Sequence, residues 1–149
     1  MLRAGRYSLI AGYELSFGFG LGDDWRASGN YTFQSAIDQG EVSYWNGNAL
    51  PLRPMHEAFG RLEYDPRGRW RAWTEANYVS GNYWDRANLY QVPDRRIYNL
   101  GATVDVYQRD DAVLSLTLEG KNLSDQKIAD VAGYPLPGRS VYFTVMGKW

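Results

Sequence analysis

From Gly138 the chain runs Gly-Arg-Ser-Val-Tyr-Phe-Thr-Val-Met-Gly-Lys-Trp to Trp149, and every second residue changes character. Val141, Phe143, Val145, Gly147 and Trp149 share one parity, while Ser140, Tyr142, Thr144, Met146 and Lys148 share the other. Successive side chains of a strand point to opposite faces, so this spacing predicts a strand with one apolar and one mostly polar face. A helix is excluded, because its apolar positions recur every three or four residues. The stretch closes on an indole. That suits a membrane barrel, whose outward apolar band is bordered by interfacial aromatics. Taken alone, the stretch also suits a soluble sandwich strand that ends on Trp.

The same alternation recurs upstream. Tyr7 to Phe19 sets Leu9, Ala11, Tyr13, Leu15 and Phe17 against Ser8, Gly12, Glu14, Ser16 and Gly18, with Ile10 as an exception on the polar side. Trp25 to Ala36 sets Trp25, Ala27, Gly29, Tyr31 and Phe33 against Arg26, Ser28, Asn30, Thr32 and Gln34. Met55 to Tyr64 and Trp70 to Val79 follow, then Arg96 to Gln108, with Tyr98, Leu100, Ala102, Val104 and Val106 on one side. Val113 to Asn122 is the clearest, with Leu114, Leu116, Leu118 and Gly120 opposing Ser115, Thr117, Glu119 and Lys121. These stretches predict an all-β, antiparallel up-and-down meander of about seven strands.

The connections alternate in length. Turns at Gly20 to Asp24, Asp65 to Arg69 and Arg109 to Asp111 are short, whereas Ile37 to Pro54, Ser80 to Arg95 and Leu123 to Pro137 are long. In a meander, alternate connections lie at the same end, so all long loops share one end. Bacterial outer-membrane barrels have this asymmetry, with short periplasmic turns and long extracellular loops. Such barrels use an even number of strands, at least eight, so about seven strands predict the C-terminal segment of a large transmembrane β-barrel. Residues 1–149 are then a partial barrel domain.

Composition agrees where it bears on the matter. Aromatics reach 15 %, with 12 Tyr and 6 Trp, which suits interfacial girdles. Mean hydropathy is -0.50 and no run of apolar residues is long enough for a membrane helix. A net charge of -1 argues against nucleic acid as a partner. The chain has no Cys, so disulfide and thiol chemistry are excluded. Met1 to Ile10 carries Arg3 and Arg6 without an unbroken apolar stretch before Glu14, so it does not read as a signal peptide. An exported barrel needs one, and the expectation is a longer precursor.

Asn122-Leu123-Ser124-Asp125, followed by Gly133-Tyr134-Pro135-Leu136-Pro137-Gly138-Arg139-Ser140 and the aromatic terminus, resembles the C-terminal end of TonB-dependent outer-membrane receptors. Gly12-Tyr13-Glu14-Leu15, Asn30-Tyr31-Thr32-Phe33 and Leu50-Pro51-Leu52-Arg53-Pro54-Met55-His56 are similar to that family too, in the expected order. Ser124 and Ile128 depart from it, standing where an aromatic and a Tyr are common. The family's plug and TonB-contacting box have no counterpart in these residues. The resemblance implies a barrel of about twenty-two strands in the bacterial outer membrane. It also implies TonB-coupled uptake, through the plug, of a large scarce ligand of the iron-siderophore or cobalamin class. No catalysis, cofactor or metal centre is implied. Outer-membrane lipid and the barrel-assembly machinery are the implied partners. Val141, Phe143, Val145 and Trp149 are the implied assembly signal.

Candidate ligand-binding residues are the loop aromatics Tyr44, Trp45, Tyr83, Trp84, Tyr90 and Tyr134, since aromatic rings give large rigid contact area. The same rings suit packing of loop on loop, or an interfacial girdle. Glu57, Arg61, Glu63, Arg71, Glu75, Glu119 and Lys121 either line a pathway or make cross-strand pairs on a wet wall. His56, the single histidine, lacks the convergent ligands of a metal site. With Ser35 it suggests a membrane lipase only weakly, because no third member is evident, and an interfacial role is the simpler reading. Two other classes stay open: a small self-contained outer-membrane barrel, structural or lipase-like, and a soluble sandwich or lipocalin-like binder.

Overall fold

The computed structural model describes residues 7–131 and 133–149. Arg3 and Arg6 lie outside the described residues. Eleven strands run β1 (Ser8–Leu21), β2 (Trp25–Asp38), β3 (His56–Tyr64), β4 (Trp70–Ser80), β5 (Asn82–Tyr83), β6 (Gln91–Val92), β7 (Arg95–Arg109), β8 (Ala112–Lys121), β9 (Ala129–Val131), β10 (Tyr134–Pro135) and β11 (Ser140–Lys148). Seven of them form one sheet in the order β1-β2-β3-β4-β7-β8-β11, each antiparallel to its neighbour. These are the seven strands predicted by alternation, with ends shifted by a few residues at most. The pairs β5–β6 and β9–β10 are small hairpins inside the second and third long loops. Sequence periodicity does not reveal them, because two or three residues carry no period.

Register makes the face assignment continuous across the sheet, since residues directly opposite in a ladder share a face. Leu15 faces Tyr31, Tyr31 faces Ala58, Ala58 faces Tyr78, Leu100 faces Gly120, and Leu116 faces Val145. On the other side Glu14 faces Thr32, Arg61 faces Glu75, Thr103 faces Thr117, and Thr117 faces Thr144. The apolar face remains open: Leu15 is 60 % exposed, Leu118 57 % and Phe143 65 %. Among the described residues only Ala36 and Ile128 are buried hydrophobics. A soluble sheet buries its apolar face against a second layer. Here no such layer exists among the described residues.

Aromatics gather at two heights on that face. Near the short turns, Trp25 lies 4.6 Å from Tyr64, and Tyr64 5.2 Å from Trp70, between ring centroids. Near the long loops, Tyr13 stacks on Phe33 at 5.4 Å, and Phe33 lies 5.4 Å from His56. Trp25 and Phe33 are separated by about 26 Å of strand. At the usual barrel tilt that is about 20 Å of height, close to the apolar band of a membrane barrel. Between them Phe17 lays its ring across Gly29, where an added Cβ would clash with the ring and with the Phe59 carbonyl.

The polar face is knitted by side-chain bonds. Arg61 pairs with Glu63 at 3.1 Å and with Glu75 at 2.5 Å, and its guanidinium lies over Trp73. Asn99 donates to Glu75 at 3.1 Å and accepts the Asn122 N–H at 3.0 Å. Lys121 pairs with Glu119 at 3.6 Å. Arg71 stands opposite Thr103.

Unbroken alternation holds in β7 only as far as Asp105. The β7–β8 register shifts between Asp105 and Tyr107, so that Tyr107 faces Leu114. This bulge puts Tyr107 on the apolar face, where an unbroken period would put Val106. The short turns take left-handed residues at Gly22, Arg67 and Asp110, with φ of 68°, 54° and 51°.

A cleft where the long loops meet

The three long loops, residues 39–55, 81–94 and 122–139, emerge from the same end of the sheet. On the polar face, where they meet, they enclose a cleft of about 480 Å³. That volume lies within the range of small-ligand sites. Leu52 and Pro54 come from the first loop, Trp84, Val92 and Pro93 from the second, and Ile128, Ala129, Val131 and Pro135 from the third. Val79 and Glu57, facing each other on β4 and β3, contribute from the wall. Glu57 and Lys127 stand exposed at this site. An apolar surface with a few charged groups is the chemistry of an amphipathic ligand's site.

Each loop is anchored by polar residues that the backbone requires. Asn122, with a φ of 49° and 4 % exposed, leaves β8 and donates to the Gln126 carbonyl at 2.9 Å. The Gln126 amide side chain then accepts the Arg96 N–H at 2.5 Å and donates to the Asp94 carbonyl at 2.6 Å. Ser124 donates to the Arg96 carbonyl at 2.9 Å, so the hydroxyl has a partner that an aromatic ring would not provide. Ile128 is buried and lines the cleft. In the second loop Asp85 accepts the N–H groups of Ala87, Leu89 and Tyr90. Burial pushes this carboxyl up, but the Tyr90, Leu89 and Ala87 N–H groups outweigh it and hold it below its ordinary value.

The six loop aromatics do not converge. Trp84 alone of them lines the cleft. Tyr44 and Trp45 pack edge to face at 4.7 Å, and Arg86 covers Trp45. Tyr83 pairs with Gln91 in the β5–β6 hairpin. Tyr90 and Tyr134 point outward, 67 % and 74 % exposed. The residues that sequence reasoning missed are the aliphatic and proline walls. A loop proline or valine has no sequence signal that separates lining a cleft from closing a turn.

His56 Nδ1 bonds to the Tyr31 hydroxyl at 2.7 Å on the apolar face, at the height of the upper aromatics. This bond gives Nδ1 a partner, and the ring lies against Tyr31 and Phe33. Among the described residues no group of three or more His, Asp or Glu side chains is arranged to hold a metal ion. Val141, Phe143 and Val145 lie on the apolar face of the edge strand β11. Trp149 is 94 % exposed beside Tyr107 and the Asp110–Asp111 turn, at the short-turn end.

No protein-family model matches the sequence, and no curated protein gives a significant match. Solved structures do. The siderophore receptor PiuA from Acinetobacter baumannii superposes with a TM-score of 0.79 at 25 % identity, over 97 % of this chain and 22 % of its own. The chain has the fold of a TonB-dependent receptor barrel wall. The ferric citrate transporter FecA matches with a TM-score of 0.82 at 20 % identity, over 94 % of this chain and 24 % of its own. The copper transporter OprC matches at 0.68 and 19 %, over 93 % and 23 %. The chain therefore spans about a quarter of the length of these receptors.

Proposed function

We propose that residues 1–149 are the C-terminal stretch of the barrel of an outer-membrane receptor that takes up a large scarce ligand by TonB-coupled transport. The observation that carries this reading is the two-sided sheet, apolar on one face across all seven strands, superposing on a siderophore receptor over 97 % of the chain. The ligand belongs to the iron-siderophore or cobalamin class. Two of the three neighbours are titled for a siderophore or ferric citrate, which supports iron, and the third for copper. The cleft receives the apolar flank of the ligand, with Trp84 as its aromatic wall and Lys127 and Glu57 as its polar contacts. Tyr44, Trp45, Tyr83, Tyr90 and Tyr134 form the outer rim. TonB acts through a plug elsewhere in the receptor. The role is transport without catalysis, in the outer membrane of a bacterium that makes the chain as part of a longer precursor. Strand β11, with Val141, Phe143, Val145 and Trp149, presents its edge to the barrel-assembly machinery, where backbone pairing gives affinity and alternate side chains give specificity.

The test is uptake in the host bacterium. Cells lacking the gene that encodes this chain are compared with the parent for uptake of radiolabelled ferric siderophores, ferric citrate and cobalamin under iron limitation. The expected result is that uptake of one ligand falls to the level that a protonophore produces in the parent. Unchanged uptake of every ligand contradicts the proposal.

A further inference from the structure

The first and second long loops are fastened to each other by contacts that the cleft does not itself contain. Asp38, the last residue of β2, is 1 % exposed and accepts Arg86 Nε at 2.5 Å and the Gly40 N–H at 2.8 Å. The Arg86 guanidinium lies 4.0 Å from the centre of the Trp45 ring, so one side chain of the second loop holds both the base and the middle of the first. A planar guanidinium can bond in its plane and stack on its face at once. Asn88, with a φ of 57°, donates to the Ala49 carbonyl at 2.9 Å and accepts the Ala49 N–H at 2.8 Å. It thus imitates a strand neighbour. Asn48 donates to the Arg86 carbonyl at 3.1 Å, and the Leu52 N–H to the Tyr83 carbonyl at 2.9 Å. Trp84 sits between two pinned residues, Tyr83 on one side and Asp85 on the other, the latter capping the turn that follows.

We propose that Arg86 and Asn88 are positioning residues of the cleft: they latch the second long loop onto the first, so that the two move as one body and the Trp84 wall is set before a ligand arrives. The consequence for binding rests on the cleft being the receptor's ligand site. The latch itself does not. A wall already in place spares the ligand the cost of ordering it. Charge alone cannot replace Arg86, because a lysine ammonium keeps the pairing with Asp38 and loses the stack on Trp45.

The experiment uses the full-length receptor in membrane vesicles, with spin labels at Glu41→Cys and Leu89→Cys, exposed sites on the two loops. Pulsed dipolar spectroscopy measures the distance between them without ligand. The expected result is one narrow distance in the otherwise unchanged receptor. Arg86→Gln with Asn88→Ala broadens it, Arg86→Lys broadens it less, and Arg69→Gln in a short turn leaves it unchanged. Faster amide exchange over residues 45–50 accompanies the broadening. A broad distance in the unchanged receptor overturns the proposal without any variant having to fold. So does a narrow distance that survives the double substitution in folded barrel. Neither outcome depends on transport, so failure of the latch is distinguishable from failure of the transport reading.

Discussion

Leu116→Arg is expected to prevent most of the barrel from assembling, whereas Thr117→Arg leaves assembly close to normal. Leu116 lies at mid-strand on the apolar face, between Val104 of β7 and Val145 of β11. Arginine at the bilayer midplane on the lipid face of a barrel costs about 2–4 kcal/mol. Each 1.4 kcal/mol is about a factor of 10 in an equilibrium. Thr117 is one residue away on the opposite face, where its hydroxyl meets that of Thr103 at 2.8 Å. Losing that bond costs about 1 kcal/mol, and the new guanidinium has lumen water to enter. The measurement is the fraction of receptor in outer membranes that migrates as folded barrel without heating. Equal fractions for the two variants would contradict the face assignment.

The second large effect concerns residues 1–149 in water without lipid or detergent. The chain is expected to form no stable monomer. Among the described residues, strands β1 and β11 end the sheet with unpaired backbone on their outer sides, and such edges recruit other chains. The apolar face adds to the problem, since Phe17, Phe143 and Val141 are 48 %, 65 % and 68 % exposed. The mixed neutral and charged residues of the other face do not compensate, because burial of apolar surface is the main driving force of folding. Size-exclusion chromatography should show large aggregates, and near-UV circular dichroism should lack the sharp aromatic bands of fixed packing. A monomer with a cooperative thermal transition would show that the chain closes on itself in some other fold.

Much of this was legible in the sequence because a membrane barrel writes its faces with period two. In β8 the run from Leu114 to Lys121 contains both faces in full, and the register with β7 and β11 then places them as read. The alternation of short and long connections places all three long loops at one end of the sheet, the end where the cleft lies. Its lining was not legible. Leu52, Val92, Ile128 and Pro135 come from three separate loops, and only the fold brings them together. The latch was hidden for the same reason, as Asp38 and Arg86 are 48 residues apart. The bulge before Tyr107 escaped because Val106 and Tyr107 are both acceptable on an apolar face.

The apolar face of this sheet is expected to meet lipid and the other face water. Spin labels introduced one at a time at each position from Val113 to Lys121 of the full-length receptor in bilayers test it most directly. Oxygen partitions into the hydrocarbon and a charged nickel chelate stays in water, so the ratio of their relaxation effects reports the environment of each label. The expected result is a ratio that alternates with period two, with oxygen dominant at Leu114, Leu116 and Leu118 and the chelate dominant at Ser115, Thr117 and Glu119. A ratio without alternation, or a chelate-dominated label at position 116, would overturn this assignment of the two faces.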